Sequence, residues 1–128
     1  FILKNEFSPI FVSSGSGIAP FLSMSKSLDL EKKKYKLFHW SKTFDGLVNY
    51  RNFSKQKNIE YHPFVTRENL TEEGIGNERI SSKDFNKTEE SIKYEIYICG
   101  SDSFVENSSD ILKNIFHKSD IYTERFGS

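Results

Sequence analysis

Two glycines separated by one residue do most to limit what this chain can fold into. Gly15 and Gly17 stand between the apolar run Pro9-Ile10-Phe11-Val12-Ser13 and a stripe of apolar residues at helical spacing, Ile18, Phe21, Leu22 and Leu28. The run reads as a short buried strand, and the glycines let the backbone turn from strand into helix within a few residues. Pro20 falls in the first helical turn, where its missing N–H is tolerated. A strand that passes into a helix through so tight a turn opens a βαβ unit.

The rest of the chain repeats the alternation. Residues 35–40 read as a second strand. Phe44, Leu47, Val48 and Phe53 predict a second helix that closes near Lys57 and Asn58, and residues 59–66 a third strand with Val65 at its buried end. The polar stretch 67–93 is long for a loop and predicts a short helix near 82–85, capped by Ser81 or Ser82. Residues 94–99 make a fourth strand that Gly100 ends. Phe104, Ser108, Ile111, Leu112, Ile115 and Phe116 then mark an amphipathic helix, and residues 121–124 a short fifth strand. Strands alternating with helices imply right-handed crossovers, hence one α/β domain over residues 1–128. The predicted sheet is five-stranded and parallel, in the order 3-2-1-4-5, with helices on both faces. In that order the sheet reverses its direction of growth between strands 1 and 4, and the ligand crevice lies there, at the carboxyl ends. Gly15-Ser16-Gly17 and Cys99-Gly100-Ser101-Asp102 both fall at this point.

Composition narrows the possible ligands. Eighteen basic residues balance eighteen acidic ones among 128, which argues against a broad nucleic-acid or membrane-binding face. No apolar run approaches the ~20 residues that span a bilayer. Cys99 is the single cysteine, so an internal disulfide is impossible and a cytoplasmic setting is expected. His39, His62 and His117 lack metal-ligand spacing, so no metal site is expected; His62 and His117 read as structural. The opening Phe1-Ile2-Leu3, without an initiator Met, suggests a piece of a longer protein.

Five constellations carry possible chemistry. The Ser14-Gly15-Ser16-Gly17 turn offers free amides at a helix N-terminus, where a pyrophosphate is welcome; the alternative is a plain tight turn. The tip of the second strand has Ser41 and Lys42, and no acid before Asp45, where NAD-preferring sites commonly place an acid for the ribose. Thr66 and Arg67 end the third strand beside it, and Arg79 follows twelve residues on. Singly each cation suits a solvated surface, but cations at neighbouring strand tips suit a 2′-phosphate clamp. Cys99, Gly100, Ser101 and Asp102 lie at the switch point, with the Cys99 thiol either facing the crevice or buried as a small hydrophobe. The tail, with Glu124 and Phe126, ends beside the same crevice or frays. Trp40 either packs or flanks an adenine.

Taken in order, these segments resemble the C-terminal pyridine-nucleotide domain of the ferredoxin–NADP⁺ reductase superfamily. Gly15-Ser16-Gly17-Ile18-Ala19-Pro20-Phe21 looks like the family's "GTGIAPF", with Ser16 in place of Thr. Lys42, Asp45 and Tyr50 stand where the family has its second-strand signature. Thr66-Arg67-Glu68 is similar to "TRE" of the bacterial ferredoxin/flavodoxin reductases, and Glu78-Arg79-Ile80-Ser81 to the "GRIT" that follows. Cys99-Gly100-Ser101-Asp102 resembles "CGNP" without its proline, and Thr123-Glu124-Arg125-Phe126 the terminal acid-plus-aromatic motif, here followed by Gly127 and Ser128.

The resemblance implies that Gly15, Ser16 and Gly17 hold the pyrophosphate of NADP(H), and that Lys42, Thr66, Arg67 and Arg79 hold its 2′-phosphate. It implies catalytic places for Cys99, near the nicotinamide C4, and Glu124, and a place for Phe126 against the flavin. FAD would sit on a preceding β-barrel domain that nothing in this sequence resembles, so the domain alone is expected to be inactive. The implied activity is hydride transfer from NADPH to FAD, then electron transfer to a ferredoxin- or flavodoxin-like partner. Two other readings share these residues. One is an NADH-dependent oxygenase reductase or cytochrome b5 reductase-like enzyme, with NAD(H) as nucleotide. The other is a non-catalytic nucleotide-binding domain.

Overall fold

The computed structural model describes residues 1–70, 74–86, 88, 89 and 91–126. Five strands form one parallel sheet: β1 (Ser8–Ser14), β2 (Tyr35–Ser41), β3 (Ile59–Val65), β4 (Tyr94–Gly100) and β5 (Asp120–Arg125). Their order is β3-β2-β1-β4-β5, as the alternation and the rule of right-handed crossovers require. The helices are α1 (Ala19–Leu30), α2 (Tyr50–Lys55) and α3 (Asp102–Ile115), with 3₁₀ turns at Gly15–Ile18, Phe44–Gly46 and Ser82–Phe85.

Both faces of the sheet are covered, which is why the central strands are apolar without alternation. Residues of one parity, among them Phe11, Tyr35, Leu37 and Tyr97, pack with Phe21 and Leu28 of α1 and Phe53 of α2. Residues of the other parity, Ile10, Val12, Phe38, Ile96 and Ile98, pack with Phe85 and with Val105 and Leu112 of α3. Parallel register stacks residues into rungs that share a face. One rung near the carboxyl ends runs Pro63, His39, Ser13, Cys99, Glu124 across the whole sheet.

The single second helix predicted from Phe44 to Asn58 is divided. A 3₁₀ turn ends at Gly46, and α2 begins only after Asn49, whose φ of 63° places it in the left-handed region. Gly46 presses against Ser41, so closely that a Cβ there would lie 2.1 Å from the Ser41 hydroxyl. The chain folds back onto the β2 tip instead of continuing as a helix, yet Leu47 and Phe53 still reach the core. The short helix at Ser82–Phe85 forms as expected, with the Ser81 N–H donating to Asp84 Oδ2 at 2.8 Å.

Residues 1–7 lie across the α1 face. The Phe1 ring stacks on Phe21 and meets Tyr97 edge-on, at 5.8 and 5.6 Å between centroids. The Lys4 N–H donates to the Tyr97 hydroxyl. The amides of Asn5, Glu6 and Phe7 all donate to the buried Glu95 carboxylate, at 3.0, 2.8 and 3.1 Å. No helix among the described residues is long and apolar enough to cross a membrane.

Candidate functional site

The two glycine turns meet at the switch point between β1 and β4. A Cβ built on Gly17 would lie 2.3 Å from the Cys99 carbonyl oxygen and 2.9 Å from the Gly100 Cα. Gly17 is therefore a packing glycine: only a hydrogen fits between the turn and the end of β4. Gly15 differs. Its φ is +53°, and a Cβ there would meet nothing within 4 Å, so it shapes the bend and faces open space. The two glycines thus divide the tasks expected of both, and only Gly15 lies on the side a ligand can approach. Ser16 is exposed beside it. Gly100 faces the Ser14 hydroxyl, where a Cβ would lie 2.4 Å away.

The Gly15–Ile18 turn is a 3₁₀ helix that leads directly into α1, with Pro at the helix start; the amides of Gly15 and Ser16 precede the first of its bonds and stand at the positive end of the helix dipole. Across the crevice, Ser101 caps α3 and accepts from the Phe104 N–H at 3.4 Å. Asp102, just inside α3, is exposed and pairs with Arg125 at 3.8 Å.

The cationic tips are joined through backbone. The Thr66 N–H donates to the Ser41 carbonyl at 2.9 Å and the Arg67 N–H to the Lys42 carbonyl at 3.0 Å. The ladder of β2 and β3 thus continues past both strands and sets Lys42 beside Arg67. Glu68 closes this corner by accepting from the Phe44 N–H at 2.6 Å. A hollow of about 360 Å³, lined by Phe44, Asp45, Leu47, Tyr50 and Arg51 among others, opens at the same tip. Ser41 is buried and its hydroxyl donates to the Thr43 carbonyl at 2.7 Å, so it shapes the loop.

Arg79 is brought back toward this edge by its neighbours. The Trp40 indole N–H donates to the Glu78 carbonyl at 3.0 Å, and Ile80 is buried in the core. Trp40 packs, stacked on Phe64 at 4.2 Å, and does not lie open to a ligand. Lys42, Arg67 and Arg79 are exposed, and none forms an ion pair among the described residues.

The Cys99 thiol takes the second of its two expected places. It is fully buried, on the α1 face with Ile18 and Phe21, because its parity on β4 points it beneath the turn. Burial, with the Glu124 carboxylate next to it, pushes the thiol up to about 11, against a weaker opposing effect of the amino group of Phe1. Cys99 is therefore a neutral thiol that meets the crevice through its backbone. Glu124 stands beside it in the rung, its carboxylate against the Phe1 amino group. The Phe126 N–H donates to the Gly100 carbonyl at 2.9 Å, which extends the β5 pairing into the crevice and leaves the Phe126 ring partly exposed. Gly127 and Ser128 lie outside the described residues.

His39 has a larger part than its place in the second-strand tip suggests. It is fully buried, and its Nε2 lies 3.0 Å from the Gly15 carbonyl oxygen. The only signal for this in the sequence is a polar residue within the apolar run Leu37-Phe38-His39-Trp40.

The fold recurs in solved structures. The whole chain superposes on the flavohem-like FAD/NAD-binding domain of nitric oxide dioxygenase from Vibrio cholerae, with a TM-score of 0.81 at 16% identity over 54% of that chain. The fold is ferredoxin reductase-like. A ferredoxin NADP⁺ reductase from Neisseria gonorrhoeae, with bound FAD and NADP, matches 96% of this chain and 60% of its own length, with a TM-score of 0.75 at 19% identity. An Amycolatopsis cytochrome P450 reductase matches 98% of this chain and 39% of its own, with a TM-score of 0.76 at 15% identity. This ferredoxin reductase-like chain thus spans roughly 39–60% of those proteins' lengths. No family model matches the sequence, and no curated protein does.

Proposed function

We propose that this chain is the NADP(H)-binding half of a flavin-dependent oxidoreductase. The observation that carries the reading is the placement of two complementary features on one sheet edge. A glycine turn that exposes Gly15 and Ser16 is locked onto the Cys99-Gly100 backbone at the switch point. Cations without ion-pair partners among the described residues stand at the neighbouring tips of β2 and β3.

A dinucleotide fits this layout along its length. Its pyrophosphate would rest on Gly15 and Ser16 with Ser14 beneath, its 2′-phosphate between Lys42, Thr66, Arg67 and Arg79, and its nicotinamide end by Gly100, Ser101 and Glu124. Arg67 presents a planar fork suited to two parallel bonds to a phosphate. Beside Glu124, Cys99 would support the nicotinamide end from below through its backbone, since its thiol is buried and neutral. The nucleotide supplies hydride when bound, and FAD on another domain would receive it. Phe126 is the aromatic nearest that seam. Electrons would pass onward to a ferredoxin- or flavodoxin-like acceptor.

Calorimetric titration of the 128-residue chain tests the reading. NADP⁺ should bind at least ~10-fold more tightly than NAD⁺, and Arg67→Ala should weaken NADP⁺ by about 10-fold while leaving NAD⁺ nearly unchanged. Equal affinity for the two nucleotides would turn the assignment to an NAD(H)-using reductase of the same fold. No affinity for either would end it.

A further inference from the structure

The turn at Gly15 is held from two sides, and the second hold has a consequence for the ligand. At its far end Gly17 is wedged against β4. At its near end the fully buried His39 reaches the Gly15 carbonyl from below at 3.0 Å. A carbonyl only accepts, so Nε2 carries the hydrogen and Nδ1 is a bare acceptor. Nδ1 is buried without a hydrogen-bond partner. Its neighbours in the rung do not serve it: Pro63 has no N–H, and the Ser13 hydroxyl donates to the Phe38 carbonyl at 3.3 Å. Burial holds the imidazole below its ordinary range, with the Gly15 carbonyl acting weakly the other way, so the ring is neutral near neutral pH.

A half-satisfied buried imidazole costs stability that an apolar side chain of similar size would not. Its one bond matters through peptide geometry. In a planar trans peptide the C=O and the following N–H point in opposite directions. With the Gly15 carbonyl turned down onto His39, the Ser16 N–H points up, away from the sheet. Gly15 and Ser16 are both exposed there.

We infer that His39 is a positioning residue that aims the Ser16 N–H at the pyrophosphate of the bound dinucleotide. The inference rests on the nucleotide-binding reading above and adds to it a residue beneath the site that touches no ligand. Without His39 the Gly15 carbonyl keeps only the 3₁₀ bond from the Ile18 N–H, and the peptide between Gly15 and Ser16 loses its hold from below.

The test compares two ligands on the 128-residue chain by calorimetry, with thermal melts alongside. NADP⁺ carries the pyrophosphate; 2′-AMP carries the 2′-phosphate without it. His39→Leu should weaken NADP⁺ by about 10-fold, the scale of one charge-assisted hydrogen bond. It should leave 2′-AMP within ~2-fold and the Tm close to that of the unaltered chain. His39→Gln, whose amide N–H reaches about as far as Nε2, should restore most of the NADP⁺ affinity. His39→Asn, polar but too short, should not, and it decides the matter if the Leu variant fails to fold. Undiminished NADP⁺ affinity in the Leu or Asn variant overturns the role of His39. So does a parallel loss of both ligands and of Tm. Failure of the unaltered chain to bind NADP⁺ overturns the functional reading itself, a result distinct from either.

Discussion

Glu95 and His39 are buried on the same face of one sheet, at its opposite ends, and their surroundings treat them differently. Glu95, at the amino end of β4, accepts from the amides of Asn5, Glu6 and Phe7 and from the Tyr97 hydroxyl. His39, at the carboxyl end of β2, has one partner and a bare Nδ1. Native interiors satisfy nearly all buried polar groups, so a satisfied one reads as architecture and an unsatisfied one asks for another reason. The amino end of the sheet is built to hold residues 1–7 in place. At the carboxyl end Gly15 and Ser16 of the turn are exposed, and so are Lys42 and Arg67, which have no ion-pair partner among the described residues.

The largest expected effect breaks the comparison at its satisfied end. Glu95→Ala strands three amides and a hydroxyl and should cost about 3–5 kcal/mol in urea denaturation. NADP⁺ affinity, measured well below the unfolding transition, should stay within ~2-fold. A loss of affinity in proportion to stability would mean that the two ends are not independent.

The contrast also explains what a reader of the sequence can and cannot see. The strand order follows from local signals: apolar runs of strand length, glycines after the first and fourth, and the amphipathic stripe of α3. The meeting of Gly17 with Cys99-Gly100 follows in turn from the strand order. The interruption at Asn49 is not visible, because Phe44, Leu47 and Val48 keep a helical spacing even though the chain there makes only a 3₁₀ turn that ends at Gly46. Glu95 reads as one polar residue in an aromatic strand, since the amides that satisfy it lie some ninety positions away. The Cys99 thiol is assigned by parity alone, and a one-residue difference in register would have turned it to the other face. The candidate phosphate residues are legible because glycines and cations at strand tips act where they stand. His39 is not, because its role depends on which carbonyl lies above it.

The two glycines of the turn sharpen the comparison next. Gly17→Ala drives a methyl into the Cys99 carbonyl, which is backbone and cannot swing aside, and should cost about 2–3 kcal/mol. Gly15→Ala meets no atom and should cost only the ~1–2 kcal/mol of a left-handed alanine. The order of the two is the point. Gly17→Ala should also lower NADP⁺ affinity, because the turn must lift off β4. If Gly15→Ala proves the more damaging to stability, the packing role assigned to Gly17 is wrong.

The smallest effect concerns Cys99, the group in the rung that lies between the two ends in character. Its thiol is buried like Glu95, and like His39 it has no charge to satisfy near neutral pH. Burial and Glu124 raise it to about 11, whereas an unfolded thiol ionises near 9. Below pH 9 both states keep the proton, and the native preference for the neutral thiol carries no penalty. Between pH 9 and 11 the unfolded chain loses its proton first, so stability falls as pH rises through that window. After allowance for the tyrosines that titrate above it, the share belonging to Cys99 should be about 1 kcal/mol at pH 10. Urea midpoints at pH 8 and pH 10 measure it, and Cys99→Ala should show a shallower fall between them than the unaltered chain. Alkylation by iodoacetamide at pH 8 gives an independent reading. A thiol that is neutral and buried should react far more slowly in the native protein than in urea. Rapid native labelling would place the sulfur at the crevice after all, and would return it to the nicotinamide end as a reacting group.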